Sequence, residues 1–134
     1  MEKFPSLVTC GFTTYNSEKT IVRALRSALE QDYINIELLI VDDCSSDETL
    51  IVINEFLCKK EVDYKLIQHN LNLGVAEARN TLIDNARGEF IVFFDSDDVS
   101  KKNRISKQVS KIKEYENKSL KVNQLIYSPL CYSD

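Results

Sequence analysis

Apolar residues along the chain switch repeatedly between a strand-like and a helix-like spacing. Leu7 to Phe12 reads as a short buried strand, and the polar stretch Thr13-Thr14-Tyr15-Asn16-Ser17 behind it as a turn carrying N-cap candidates. From Glu18 to Gln31 the apolar positions Ile21, Leu25, Ala28 and Leu29 fall at i, i+4, i+7 and i+8, one face of a helix. Ile36 to Val41 (IELLIV) is almost wholly apolar, the pattern of a strand covered on both faces. Ser45-x-x-Glu48 matches a capping box and opens a predicted helix through about Leu57, with Leu50, Ile53 and Leu57 on one side. Tyr64 to Gln68 is a further strand, and Ala76 to Ala86 a helix that Gly88 is predicted to close at C′. Glu89 to Phe94 is a strand that runs into an acidic cluster, and a basic amphipathic helix over about Lys101 to Tyr115 turns Ile105, Val109 and Ile112 inward. Lys121 to Tyr127 is read as the start of a fifth strand.

Strands alternating with helices indicate right-handed βαβ units on a mostly parallel sheet. Ligands of such sheets sit beyond the carboxyl ends of the strands, near the point where strand order reverses. Four polar segments follow strands here: Thr13–Asn16, Asp42–Ser46, His69–Asn72 and Asp95–Asp98. A parallel sheet brings all four to one edge. With 134 residues and no repeat, low-complexity tract or linker, the chain 1–134 is expected to be a single domain.

The net charge of −4 argues against a nucleic-acid-binding face, and an anionic nucleotide would call for a cation between it and the protein. No apolar run approaches the ~20 residues that span a bilayer. The N-terminus MEKFPSLV lacks the apolar core of a signal peptide, so a cytoplasmic chain is expected. In that compartment the scattered Cys10, Cys44, Cys58 and Cys131 read as reduced thiols in or near the core, not as a disulfide framework or zinc site. The single histidine, His69, argues against a His-based metal site and a Ser-His-Asp triad. Asn117-Lys118-Ser119 fits a glycosylation pattern by chance.

The candidate chemistry lies in the carboxylates. Asp95, Asp97 and Asp98 crowd three acids into four positions where a strand ends. Like charges this close raise each other's pKa, a cost relieved by water, a helix start or a cation. In extended backbone Asp95 and Asp97 point to the same side, which suits Mg²⁺ or Mn²⁺ shared with a diphosphate. The plain alternative is an acidic turn in which Asp97 or Asp98 caps the next helix. Asp42-Asp43 poses the same choice. One carboxylate can accept from the imide N–H of a base while the other faces a helix N-terminus, or both are simply an acidic first turn. Tyr15 can stack on a base or cover core, and Arg79 can face a phosphate or only solvent. Lys101, Lys102, Arg104, Lys107, Lys111 and Lys113 read as a solvated basic face with a secondary chance of touching an anionic membrane. Cys44, beside two acids, is expected to be a poor thiolate without a catalytic role.

The order and spacing of these motifs are more specific than any one of them. "TTYNSEKTIVRALRSALEQDYINIELLIVDDCSSDETL" followed by "NLGVAEARNTLIDNARGEFIVFFDSDD" resembles the donor-binding half of family 2 glycosyltransferases, from about Leu7 to Ile105. The resemblance implies the GT-A fold, a Rossmann-like three-layer α/β/α sandwich with a mostly parallel sheet. It also implies inverting transfer of a sugar from a nucleotide diphosphate donor, with a divalent metal, Mn²⁺ or Mg²⁺. Carried over by position, it places Thr13 and Tyr15 at the base and ribose pocket, Asp43 on uracil with Asp42 beside it, and Arg79 on the nucleotide. Asp95 then lies near ribose and phosphate, and Asp97 is the metal ligand. A UDP-sugar donor, a glycan or lipid-linked acceptor and a site at the inner membrane face, in polysaccharide synthesis, follow by the same resemblance.

The chain departs from the family pattern in three places. The family often has Pro where Thr13 stands and Gly where Cys44 stands. Its general base comes from a segment after the DxD half, and nothing in VNQLIYSPLCYSD matches that segment. The chain is therefore expected to be a fragment that binds donor and transfers poorly, with its catalytic base unassigned. A phospho-receiver module binding Mg²⁺ is the alternative, but a receiver has its acidic pair after the first strand and a lysine ending the fifth. A dinucleotide-dependent oxidoreductase would need G-x-G-x-x-G after the first strand, which Gly11, Gly74 and Gly88 cannot supply. A plain interaction domain leaves the aligned acidic edge without a purpose.

Overall fold

The structure is a computed structural model that describes residues 5–118 and 124–126. The chain runs β1 (Val8–Thr14), α1 (Ile21–Leu29), β2 (Ile36–Asp42), α2 (Thr49–Leu57), β3 (Tyr64–Gln68), α3 (Val75–Asn85), β4 (Phe90–Asp95), α4 (Arg104–Lys118) and β5 (Gln124–Ile126). All strands are parallel, in the order β3-β2-β1-β4-β5. Two half-cores cover the sheet because alternate strand residues face opposite layers. Val8, Cys10 and Phe12 of β1, with Phe90, Val92 and Phe94 of β4, pack against α1, α2 and α4, and Phe12 stacks on Phe94 at 4.9 Å. Leu39 and Val41 of β2 face the other way, onto Ala78 and Leu82 of α3. The result is the expected α/β/α layering.

β2 and β3 are laid outward on one side of β1, after which the chain returns to set β4 on its other side. The strand order therefore reverses between β1 and β4, and a crevice opens at their carboxyl ends.

Several boundaries differ from the sequence reading. Thr13 and Thr14, read as a turn, belong to β1, where Thr13 is in register with both Val41 and Asp95. A central strand paired on both sides carries β-branched polar residues along its ladder. Gly88 is not the left-handed C′ residue of α3: the helix ends at an extended Ala86, and Gly88 has no positive φ. It is needed for close approach, since a Cβ there would lie 2.6 Å from Thr9 N and 2.7 Å from Phe90 O. Gln124–Ile126 falls within the predicted fifth strand, while its other residues lie outside the described ones, as does Cys131. Of the remaining cysteines only Cys10 is in the core; Cys58 is exposed and Cys44 partly so.

The loop that carries Gly88 is fastened at the amino ends of the strands by a buried acid. Glu37 accepts from Thr9 Oγ1 at 2.6 Å and from Arg87 N and Nε, both at 2.8 Å, and Arg87 also pairs with Asp63. Gly88→Ala pushes a methyl into backbone that cannot yield. We expect it to lower stability by about 1–3 kcal/mol, read as an earlier urea midpoint at unchanged m.

Candidate functional site

A cleft of about 540 Å³ opens at the carboxyl edge of the sheet, lined among others by Thr13, Tyr15, Asp43, Gly74, Asp95 and Asp97. All four predicted polar segments contribute to it, the one after β3 through Asn72.

Asp43 is the most constrained of these residues. It is 5% exposed, and its own N–H donates to Thr14 O at 2.9 Å. Oδ1 accepts from Leu73 N and His69 Nδ1, both at 2.9 Å, and Oδ2 accepts from Gly74 N at 2.8 Å. Gly74 can present that N–H because it holds φ +94° and ψ 164°, a conformation open essentially to glycine alone. Burial would push the Asp43 carboxyl up, but these three donors hold it below its ordinary value. Asp42 does not reach the cleft. It is fully buried and its carboxylate is taken by Ser45 N at 2.9 Å and Ser45 Oγ at 2.6 Å, so it shapes the loop beneath Asp43. Neither acid sits in the first turn of α2, which disposes of the first-turn alternative.

The loops after β1 and β2 are strapped to each other. Asn16, at φ +47°, accepts on Oδ1 from Ser46 N at 2.8 Å and donates its N–H to Ser45 Oγ at 2.9 Å. Ser17 N donates to Thr49 Oγ1 at 2.8 Å. These bonds consume the polar side chains read as helix caps. Neither Thr20 before α1 nor Glu48 before α2 caps its helix with its side chain. Asp47 Oδ1 instead accepts from Thr49 N at 3.0 Å, and the Ser45-x-x-Glu48 capping box is not formed because Ser45 is committed to Asp42. Cys44 sits between them at φ +67°, the left-handed region, which accounts for the glycine common at this place in the resembled family.

On the β4 side, Asp95 ends the strand and Asp98 N donates back to Asp95 O at 3.3 Å, closing a turn over 95–98. Asp97 is thus in a turn, not in the extended backbone its spacing suggested, yet both Asp95 and Asp97 line the cleft and are exposed. The intervening Ser96 hydroxyl is 2.8 Å from Ser17 Oγ, tying this turn to the loop after β1. No acid of the turn caps α4. Ile105 N instead donates to Gln31 Oε1 at 3.0 Å, and the Gln31 amide donates to Lys101 O at 2.6 Å. Arg104, read as part of a solvated face, stacks on Phe94 at 4.6 Å and donates to Phe93 O at 2.8 Å, steadying the end of β4. Arg79 reaches Asp95 at 3.9 Å and lies over Phe93, flanking the cleft without lining it. Tyr15, about half exposed, presents its ring at the rim.

Among the described residues no three His, Cys, Asp or Glu side chains converge as an all-protein metal site. Two exposed carboxylates on a cleft wall are too few for a closed structural centre. They fit Mg²⁺ or Mn²⁺, which keep several waters and take one or two carboxylates together with substrate phosphates.

The titrating groups set a pH window. Asp43 and Asp47 are held below 3.8 and Glu37 below 4.5, desolvation in each case being outweighed by hydrogen bonds. Their folded values lie under the unfolded ones, so their stabilisation is present above about pH 4 and lost as pH falls further. Burial pushes the Cys10 thiol up to about 12 from 9.0, so alkali ionises it first in the unfolded chain and stability declines above about pH 9. Urea midpoints should be flat from about pH 5 to 8 and fall on both sides; a midpoint that rises below pH 4 would be the wrong sign.

Comparison with known proteins places this geometry in context. The family model described as glycosyl transferase family 2 matches residues 9–129. An Escherichia coli UDP-Glc:alpha-D-GlcNAc-diphosphoundecaprenol beta-1,3-glucosyltransferase, WfgD, is 41% identical over 78% of this chain and 40% of its own length. The crystal structure of Staphylococcus aureus TarS 1-349 in complex with UDP superposes with a TM-score of 0.73 at 34% identity, over 84% of this chain and 33% of that one. The mannosyltransferase PcManGT from Pyrobaculum calidifontis, in complex with GDP-Man and Mn²⁺, gives 0.75 at 27% identity, over 79% of this chain and 32% of that one. The chain thus spans two-fifths or less of the length of these relatives.

Proposed function

The chain belongs to glycosyl transferase family 2, and on that premise we propose that its cleft binds the nucleotide-sugar donor of an inverting, metal-assisted transfer in polysaccharide synthesis. The observation that carries this reading is that a buried carboxylate suited to a base and two exposed carboxylates suited to a divalent cation open onto one cleft of about 540 Å³. That volume is within the usual range for a small-molecule site.

In this reading the base enters over Tyr15 and meets Asp43, while Thr13 lines the ribose region. Asp95 and Asp97 hold the cation and Arg79 steadies Asp95. When bound, the cation supplies Lewis-acid neutralisation of the departing diphosphate. The protein's own part is to prearrange the acids: the Ser17–Ser96 contact ties down the 95–98 turn before any ligand arrives, while Arg104 steadies the end of β4 and Gln31 holds the start of α4. The base that takes the proton from the acceptor hydroxyl is not assigned to any residue of this chain.

The donor is proposed to be a UDP-sugar, in keeping with the UDP-Glc named for WfgD and the UDP bound to TarS. The acceptor is proposed to be a glycan or lipid-linked glycan at the cytoplasmic membrane face. Among the described residues no helix is long and apolar enough to cross a membrane. The phospho-receiver alternative gains nothing from the geometry, since Asp42 is consumed within its own loop.

Thermal unfolding tests the reading. At 100 times its Kd a ligand bound only by the folded state adds about 2.7 kcal/mol. UDP with Mn²⁺ should then raise Tm by on the order of 10 °C, and uridine without a diphosphate by much less. Equal shifts with the two ligands would contradict a metal-bridged diphosphate.

A further inference from the structure

The chain's single histidine packs beside the base-reading acid and takes no part in the donor contacts. The His69 side chain is 9% exposed and does not line the cleft. Its Nδ1 is 2.9 Å from Asp43 Oδ1 and its Nε2 is 2.9 Å from Thr81 Oγ1. An ionised carboxylate offers no proton, so Nδ1–H is the donor to Asp43. Thr81 Oγ1 also lies 3.1 Å from Glu77 O within α3. The ring therefore spans two anchors, the end of β2 on one side and the first helix beyond the site on the other.

A carboxylate has about four acceptor positions. On Asp43, Oδ1 uses two, for His69 and Leu73, and Oδ2 uses one, for Gly74. One position on Oδ2 is left. The two backbone donors belong to a loop whose Leu71 and Leu73 side chains are exposed, whereas His69 is tied by its own N–H to Asp42 O at 2.8 Å and by both ring nitrogens. The ring, held at both nitrogens, adds a side-chain donor on Oδ1 to the two backbone donors that engage the carboxylate.

We propose that His69 is a positioning residue for base selection: it holds Asp43 so that the last acceptor position on Oδ2 meets a base edge offering an N–H, such as the imide of uracil. A base presenting a lone pair at that place, as cytosine does, meets lone pair with lone pair and leaves buried polar groups unpaired. This rests on the donor-site reading, because it assigns the base to the Asp43 end of the cleft. His69 acts through Asp43 and touches no reacting atom.

The test combines calorimetric titration of UDP and of CDP, with Mn²⁺, into the wild type, His69→Ala and His69→Gln. It adds nitrogen NMR of the wild type, in which one histidine gives one unambiguous ring. His69→Ala should lower UDP affinity on the order of 10-fold and CDP affinity far less, so the preference for UDP collapses. His69→Gln, which returns one N–H donor, should recover part of the preference. In the wild type, UDP should move the Nδ1 signal and CDP should leave it nearly in place. Wild type that binds UDP while its ring signal stays unmoved, or an alanine variant that loses UDP and CDP equally, overturns the role of His69 and leaves the donor site standing. Wild type that binds no UDP overturns both.

Discussion

Asp97→Ala should abolish the Mn²⁺-dependent part of UDP affinity, a loss on the order of 100-fold, or about 2.7 kcal/mol. Asp97 is exposed on the cleft wall, and among the described residues its carboxylate makes no hydrogen bond or ion pair. Its removal therefore disturbs little of the fold while taking away one of two candidate anionic ligands. Asp98→Ala is the matched control. It deletes a neighbouring charge of the same turn at a residue that does not line the cleft, and should change affinity less than about threefold. Calorimetry on the two variants separates a ligand from a general effect of negative charge.

Asp43→Asn should do more, because the carboxylate is structural as well as ligand-facing. An amide in its place has one acceptor oxygen and one NH₂ group. Whichever way it is turned, the NH₂ faces an N–H that previously had a lone pair, either from Gly74 or from Leu73 and His69. A buried donor left against a donor costs about 1–3 kcal/mol. The variant should show a lower Tm without any ligand, and it should also lose UDP. A variant with unchanged Tm would mean that the β3–α3 loop is not held by this acid.

The two predictions differ in how far the residues involved were legible from sequence. Strand and helix alternation was clear, because IELLIV and the Ile21, Leu25, Ala28 face each bury against a layer whose period they match. The gathering of polar segments at one edge followed from parallel topology alone. What could not be read was the partner each polar residue takes. Ser45 looks like a cap for the helix just after it, but its hydroxyl is claimed by Asp42 on one side and by Asn16, 29 residues away, on the other. His69 finds Asp43 across 26 residues. Such choices depend on how neighbouring strand ends come together, which short-range spacing does not encode.

Gly88 makes the same point for the backbone. A glycine just past a helix suggests a left-handed cap, whereas here it leaves room for Thr9 in a strand laid down 79 residues earlier. At Cys44 the local signal was present but sat in the resemblance: a family glycine stood for a positive φ that the cysteine now adopts. The acidic turn lies between these cases. Its carboxylates do meet at the cleft, but through a turn closed by Asp98 N and not through the two-residue period of a strand.

Calorimetric titration of UDP into the wild-type chain, first with Mn²⁺ and then with EDTA, tests most directly whether the cleft is a metal-bridged donor site. We expect saturable one-to-one binding with Mn²⁺ that weakens on the order of 100-fold, by about 2.7 kcal/mol, when EDTA removes the cation. UDP binding that EDTA leaves unchanged would contradict the role given to Asp95 and Asp97.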